Sequence, residues 1–322
     1  MPGRPDLSVI VVTHQGRDLA LHVLRTARAA TGPIAVEWLV VDSGSSDGTP
    51  DAIERELPDV TVMRRPNIGF AAGNNVALRA ARGRYVLLLN PDVEIVDGTL
   101  AQLVAAMDGR PEVGIGSSIT HYPDGELQAS IRRFPSPARQ LGEALMLTRL
   151  PSLSHLQEDE CRPEVYEREQ SADWLSGSFL LARREAVEQA GGFDERFFLF
   201  SEETDWCLRV RAAGWDIRHF PTMRLTHHTG RTERPDLYAQ NSYSKVLYAR
   251  KHFALPARTV FRAALALRHA LRCAGFAVPA LLRGPRVRDR LAAERLALLV
   301  VLGLAAPRYR PYAERNGEAV GP

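Results

Sequence analysis

The sequence predicts an α/β fold: a mostly parallel sheet flanked by helices and followed by a C-terminal helical extension. Three observations point there. Near-continuous apolar runs, LSVIVVTH from Leu7, VEWLVVDS from Val36 and YVLLLN from Tyr85, have the character of strands buried on both faces. Segments of helical period separate them at the spacing of βα units. Each run ends in polar residues, on the side of an open α/β sheet where ligands collect.

Taken in order, LSVIVVTH (Leu7 to His14) is the first strand and RDLALHVLRTARAA the first helix. VEWLVVDSGSSDGT is a second strand that runs into a Gly-rich polar turn. DAIERELP reads as a short helix, DVTVMRR as a third strand, GFAAGNNVALRAARG as a helix closed by Gly83, and YVLLLN as a fourth strand. That strand stops at Asn90-Pro91-Asp92, because proline cannot donate to a sheet ladder. From about Thr120 to Ala172 the periodicity lapses into FPSPARQ and LPSLSHLQEDECRPEVYEREQ, which predict loops and short helices of the kind that cover a site. After Ser201, a candidate N-cap, EETDWCLRVRAAG predicts a helix ending at Gly214, and MRLT is strand-like.

Composition excludes several classes. With 322 residues, 45% hydrophobic and 25% charged, the chain is globular and can bury a full core. Cys161, Cys207 and Cys273 have neither paired nor metal-type spacing, which argues against a disulfide framework or a zinc site. MPGRPDLSVIVVTH has no apolar stretch long enough for a secretory signal, so a cytoplasmic start is expected. The net charge of +3 is unevenly distributed: residues 254–310 hold eleven Arg against Asp289 and Glu294. No recognised module or basic-aromatic interleaving accompanies that charge, which argues against nucleic acid as a partner.

The polar residues at strand ends, Thr13, Asp42 with Ser43, Asn67, and Asn90 with Asp92, are expected to converge on one rim. Ser46 and Asp47 read as turn residues. Glu202, Glu203 and Asp205 crowd the start of one predicted helix. A helix dipole accounts for acids there at about 0.3–1 kcal/mol each, yet three within four residues exceed that need. A carboxylate behind the aromatic run FDERFFLF is suited to accept a proton from a hydroxyl, as a general base does. His228 reads as structural; His227 is a ligand only if a metal lies nearby.

In order, SVIVVTH, VVDSGSSDGT, RPNIGFAAGNN, YVLLLNPDVE, WLSGSFLLARREAVEQAGGFDERFFLFSEETDWCLRVRAAGWD and HHTGRT resemble the inverting family 2 glycosyltransferases of the GT-A fold, most closely rhamnosyltransferase-like bacterial members. The resemblance spans about Leu7 to Lys251 and implies a nucleotide-binding, Rossmann-like sheet in a domain of residues 1–253; beyond it, composition predicts a basic amphipathic helical tail over 254–322. It implies that Asp42, beside Thr13, hydrogen-bonds the donor base, with Asn67, Gly69 and Asn75 near the nucleotide. Asn90-Pro91-Asp92 would stand in the Asp-X-Asp position, Asp92 binding Mg²⁺ or Mn²⁺ with His227 as second ligand. Glu203 would be the catalytic base, one methylene longer than the usual Asp. Glu202, Asp205 and Trp206 would shape the acceptor site, and Trp174, Ser176 and Gly177 would line the space between donor and acceptor. The implied activity is transfer of a deoxysugar, rhamnose, from a dTDP or UDP donor to a lipid-linked or polysaccharide acceptor in cell-envelope glycan synthesis. The alternative is a non-catalytic nucleotide-sugar or membrane-binding subunit. A sugar nucleotidyltransferase is disfavoured, since VVTHQGRDLALH offers one glycine and one arginine in place of a Gly-rich basic loop.

The tail's RTVFRAALALRHALRCAGFAV and RDRLAAERLALLVVLGLAA read as Arg-studded helices, and Leu296 to Ala306 is too short to span a bilayer. Two readings stand equally: an interfacial pair on the anionic inner face of the cytoplasmic membrane, or packing on the catalytic domain or on a second subunit of an oligomer.

Overall fold

The computed structural model describes residues 3–229, 234–282 and 285–310. The end of the HHTGRT match (Gly230 to Thr232) and the tail's residues 283–284 and 311–322 lie outside them. The strands are β1 (Leu7–Thr13), β2 (Val36–Ser43), β3 (Val60–Arg65), β4 (Tyr85–Leu89), β5 (Val93–Asp97), β6 (Val113–His121), β7 (Ile131–Arg132), β8 (Gln170–Ser171), β9 (Trp174–Leu175), β10 (Phe179–Arg183) and β11 (Asp216–His227). The helices are α1 (Arg17–Ala29), α2 (Thr49–Glu56), α3 (Phe70–Ala80), α4 (Leu100–Asp108), α5 (Pro137–Ala144), α6 (Pro163–Tyr166), α7 (Arg184–Ala190), α8 (Glu202–Ala212), α9 (Pro235–His252), α10 (Leu255–Leu282) and α11 (Pro285–Leu302).

Two compact units result. The first comprises the described residues of Met1–Arg132, Asp159–Glu195 and Glu202–Gly230; the second, those of Arg133–Glu158, Arg196–Ser201 and Arg231–Pro322. The turn at 253–254, where the sequence suggests a boundary, joins α9 to α10 inside the second unit.

The first unit holds the main sheet, in the order β3-β2-β1-β4-β10-β6-β11-β5. Strands β3, β2, β1 and β4 are mutually parallel and β6 is parallel to β11, while β10 and β5 run antiparallel to their neighbours. The sheet is thus mixed but mostly parallel, as the apolar runs predict. Alternate residues of β1 face opposite sides and all are buried: Leu7, Val9 and Val11 join Leu21 and Leu24 of α1, Trp38 and Tyr85 in the core, and Ile10 is closed from solvent too. Each such side chain contributes about 1.5–3 kcal/mol on burial.

The antiparallel β10 enters between β4 and β6, so its first residue starts where β4 ends, with Phe179 opposite Leu89. Five lines of chain therefore meet at one rim: the ends of β1, β2, β4 and β11 and the start of β10.

In the second unit, α10 and α11 pack on each other and on α9, and α10 also packs on α5. Polar pairs join them, of which His269–Glu294 is buried and the two arginine pairs are partly exposed. His269 and Glu294 are 2.6 Å apart, Arg272 donates to Glu294, and Arg268 pairs with Glu143 at 3.0 Å. Removing His269 would strand the buried Glu294 charge, at a cost of about 3–5 kcal/mol where no other partner compensates. The tail helices thus pack on protein. No helix among the described residues is long and apolar enough to cross a membrane.

Candidate active site

The end of β2 places Asp42 directly beside Thr13 of β1 in the sheet register. Both are buried. Asp42 Oδ2 accepts a hydrogen bond from the Ser45 amide at 3.0 Å, but Oδ1, like the neighbouring Ser43 hydroxyl, is buried with no hydrogen-bond partner among the described residues. Buried polar atoms left in this way leave acceptor capacity for a ligand. Asn67 lies close by: a β-carbon on Gly44, which sits at φ +74°, would meet the Asn67 amide at 3.4 Å, and Asn67 in turn accepts from the amide of Gly69 at 3.3 Å.

Asp47 has the structural part that its turn position predicts. It accepts from the amides of Gly16, Arg17 and Thr49, tying the loop after β1 to the start of α2. Hydrogen bonding, led by the Thr49 hydroxyl, holds its carboxyl down at about 2.

Beyond β4, the Asn90 amide donates to the Ser178 carbonyl at 2.9 Å, and the chain turns at Pro91 so that Asp92 meets the end of β11. Asp92 Oδ2 lies 3.2 Å from His227 Nε2 and accepts from the Thr229 hydroxyl. The other ring nitrogen of His227 faces the Gln128 side-chain amide at about 3 Å, and both residues are buried. Burial alone would raise the Asp92 carboxyl; the hydrogen bond and charge of His227, with Thr229, outweigh it and hold the group below the usual range. Asp92 is therefore ionised near neutral pH.

The acids that open α8 are sorted by their surroundings. Phe200 and Ser201 precede the helix with φ of +69° and +64°, so Ser201 does not have the extended backbone of an ordinary N-cap serine. Glu202 is 3% exposed and its Oε2 has no hydrogen-bond partner among the described residues; burial first, and the charges of Glu203 and Asp205 next, push its carboxyl well up. Asp205 is fully buried and paired with Arg209 at 2.9 Å, one helical turn on. Glu203 alone of the three is half-buried. Its side chain rests on the backbone of Gly177, where an added β-carbon would stand 3.2 Å from Glu203 Cβ and Cγ.

Trp174, Ser176 and Gly177 thus form the approach to β10 that carries both contacts, to Glu203 at Gly177 and to Asn90 at Ser178. The Ser176 amide is anchored on the Ser130 carbonyl, and the buried Trp174 ring has the Arg132 guanidinium 4.9 Å from its centre.

Three further residues that the resemblance places at the site also make hydrogen bonds within the fold. Asn75 gives its amide hydrogens to the Phe193 carbonyl and to Glu195 and accepts from the Phe193 amide, which stitches α3 to the turn after α7. Trp206 is fully buried, donates to the Gly191 carbonyl and packs on Phe193. Asp205 is held by Arg209. The aromatic run is likewise used in packing: Phe193 on Trp206, Phe197 under Lys251 and Phe198 on Tyr309.

The profile of the Glycosyl transferase family 2 matches residues 8–190, more than half of the chain. The chain belongs to this family. It is 31% identical over 286 residues to the N-acetylglucosaminyl-diphospho-decaprenol L-rhamnosyltransferase of Mycobacterium tuberculosis, a match covering 81% of this chain and 91% of that protein. Among solved structures it is similar to the mannosyltransferase PcManGT from Pyrobaculum calidifontis in complex with GDP-Man and Mn²⁺, at a TM-score of 0.58 and 18% identity over 96% of this chain and 89% of that one. It is also similar to GalNAc-T7 with UDP, GalNAc and Mn²⁺, at a TM-score of 0.51 and 13% identity over 78% and 51%. At such identities the structures bear on the fold, which is GT-A. The protein is a glycosyltransferase with a GT-A sheet and a helical C-terminal region.

Two residues of this family 2 glycosyltransferase escape sequence reasoning. Gln128 lies in the aperiodic middle segment, where nothing marks it as the partner of His227. Thr229 is legible only as part of HHTGRT, yet its hydroxyl is bound to Asp92.

Proposed function

We propose that this glycosyltransferase is an inverting, divalent-cation-dependent enzyme that transfers rhamnose from dTDP-rhamnose to a lipid-linked acceptor in cell-envelope glycan synthesis. The observation that carries the reading is the selection of Glu203 among the acids of α8, together with its seat on Gly177, one residue from the carbonyl that holds Asn90. The sugar and the acceptor class rest on the M. tuberculosis relative, which is named for L-rhamnose transfer to a diphospho-decaprenol-linked sugar.

In this reading Thr13, Asp42 and Ser43 receive the donor base, where the buried Oδ1 of Asp42 accepts an imide N–H. Glu203 takes the proton of the acceptor hydroxyl as its oxygen attacks the anomeric carbon from the face opposite the nucleoside diphosphate, which inverts the configuration. Asp92 and His227 fit a divalent cation: one ionised carboxylate and one imidazole nitrogen 3.2 Å apart, oriented by Thr229 and Gln128. Asn90 leaves that site a single carboxylate. When bound, Mg²⁺ or Mn²⁺ supplies positive charge against the diphosphate.

Peripheral membrane association through the second unit belongs to the same reading. A groove of about 580 Å³ there is lined by Leu255, Ala263 and Leu302 with Arg250, Arg258 and Arg262, and Leu304 is 72% exposed nearby in sequence. Apolar and cationic groups together suit an anionic lipid surface.

The test of the donor site is thermal stability of the wild type and of Asp92→Ala against dTDP, UDP and GDP, each with and without Mn²⁺. A rise with dTDP that needs Mn²⁺ and is lost in the variant supports the reading; no rise with any nucleotide contradicts it.

A further inference from the structure

Beside the Asp92–His227 pair lies a second set of ligand-type side chains, brought together from three parts of the first unit. His22 comes from α1, Glu94 from β5 and His228 from the residue after β11. Both imidazoles aim Nε2 at the same carboxylate oxygen: Glu94 Oε2 is 3.3 Å from His22 and 2.9 Å from His228. The two rings stand edge to face with centroids 6.3 Å apart, and one ligand atom from each residue lies within 4.8 Å of the others. A tetrahedral ion with bonds of about 2.0 Å holds its ligand atoms about 3.3 Å apart, so two of the three separations are already close to those of a bound site. His22 and His228 are partly open to solvent, which leaves room for water as a further ligand.

We propose that His22, Glu94 and His228 form a second metal site, built for a nitrogen-preferring divalent transition ion such as Zn²⁺. Two imidazoles and one carboxylate suit Zn²⁺ or Co²⁺, whereas Mg²⁺ and Mn²⁺ favour oxygen donors. The two sites therefore differ in chemistry while sharing a scaffold: β5 pairs with β11 through Val93 and His227, and the His228 amide donates to the Asp92 carbonyl at 2.8 Å. An ion at the second site ties α1 to both strand ends and braces the Asp92–His227 pair without entering the reaction.

The test is calorimetric titration of the metal-free full chain with Zn²⁺, in the wild type and in Asp92→Ala, repeated for each with His22→Ala or His228→Gln added. Co²⁺ absorption in the visible reports coordination number. The expected result is one Zn²⁺ per chain in both wild type and Asp92→Ala, intense four-coordinate Co²⁺ bands, and loss of affinity in the histidine variants beyond the about 10- to 100-fold that follows loss of an outer-shell partner. Thermal unfolding of the metal-free variants at wild-type temperature shows that they are folded. Absence of Zn²⁺ binding at micromolar concentration, binding unchanged by His22→Ala, or binding abolished by Asp92→Ala each overturns the proposal.

Discussion

Gly177 lies against the Glu203 side chain so closely that a β-carbon at position 177 would sit 3.2 Å from two of its carbons. Contacts this tight move the neighbour by a few tenths of an ångström, and Glu203, half-buried at the start of α8, is what would move. Gly177→Ala therefore lowers kcat by about tenfold with little change in the KM for donor, because proton transfer depends on placement. A variant with wild-type kcat would separate Glu203 from the chemistry.

Gln128 is expected to act through His227. With Gln128→Ala the ring loses the partner that sets its orientation, and the Mn²⁺ concentration for half-maximal donor binding rises by about 10- to 100-fold. Titrating Mn²⁺ at fixed nucleotide measures this; an unchanged midpoint would mean that His227 does not hold the ion.

Glu202 makes stability fall with rising pH. Its folded carboxyl is raised by burial, then by Glu203 and Asp205, so the fold keeps this proton to higher pH than the unfolded chain does. The contribution is complete below the ordinary value of about 4.3 and is lost as pH rises toward the raised one. Glu202→Gln cannot ionise and escapes that loss. The Tm of the variant minus that of the wild type should therefore be larger near pH 8 than near pH 5. A difference independent of pH would show that Glu202 is already ionised in the fold.

The first four strands and their helices are legible because apolar runs and turn residues alternate without interruption up to Leu89. Strand β6, VGIGSSITH, is not: its glycines and serines break the apolar pattern. Ser117 and Ser118 are nonetheless buried, donating to the carbonyls of Phe179 and Phe220. The antiparallel entry of β10 is equally hidden, since direction in a sheet is a tertiary property. At the site, the rim residues are readable because strand ends converge by topology. Asn75 and Trp206 also donate to the Phe193 and Gly191 carbonyls, contacts that spacing along a helix does not reveal. Gln128 carries no signal at all, as a glutamine in an aperiodic segment has none to give.

The most direct test of the central claim is transfer of rhamnose from dTDP-rhamnose to a lipid-linked N-acetylglucosaminyl diphosphate acceptor by the wild type and by Glu203→Gln, with dTDP binding measured on the same samples. The account predicts transfer by the wild type, a fall of about 10²- to 10⁴-fold in kcat for the variant, and dTDP affinity equal in the two. Wild-type rates in Glu203→Gln, or tight dTDP binding by a wild type that transfers to no acceptor, would contradict it.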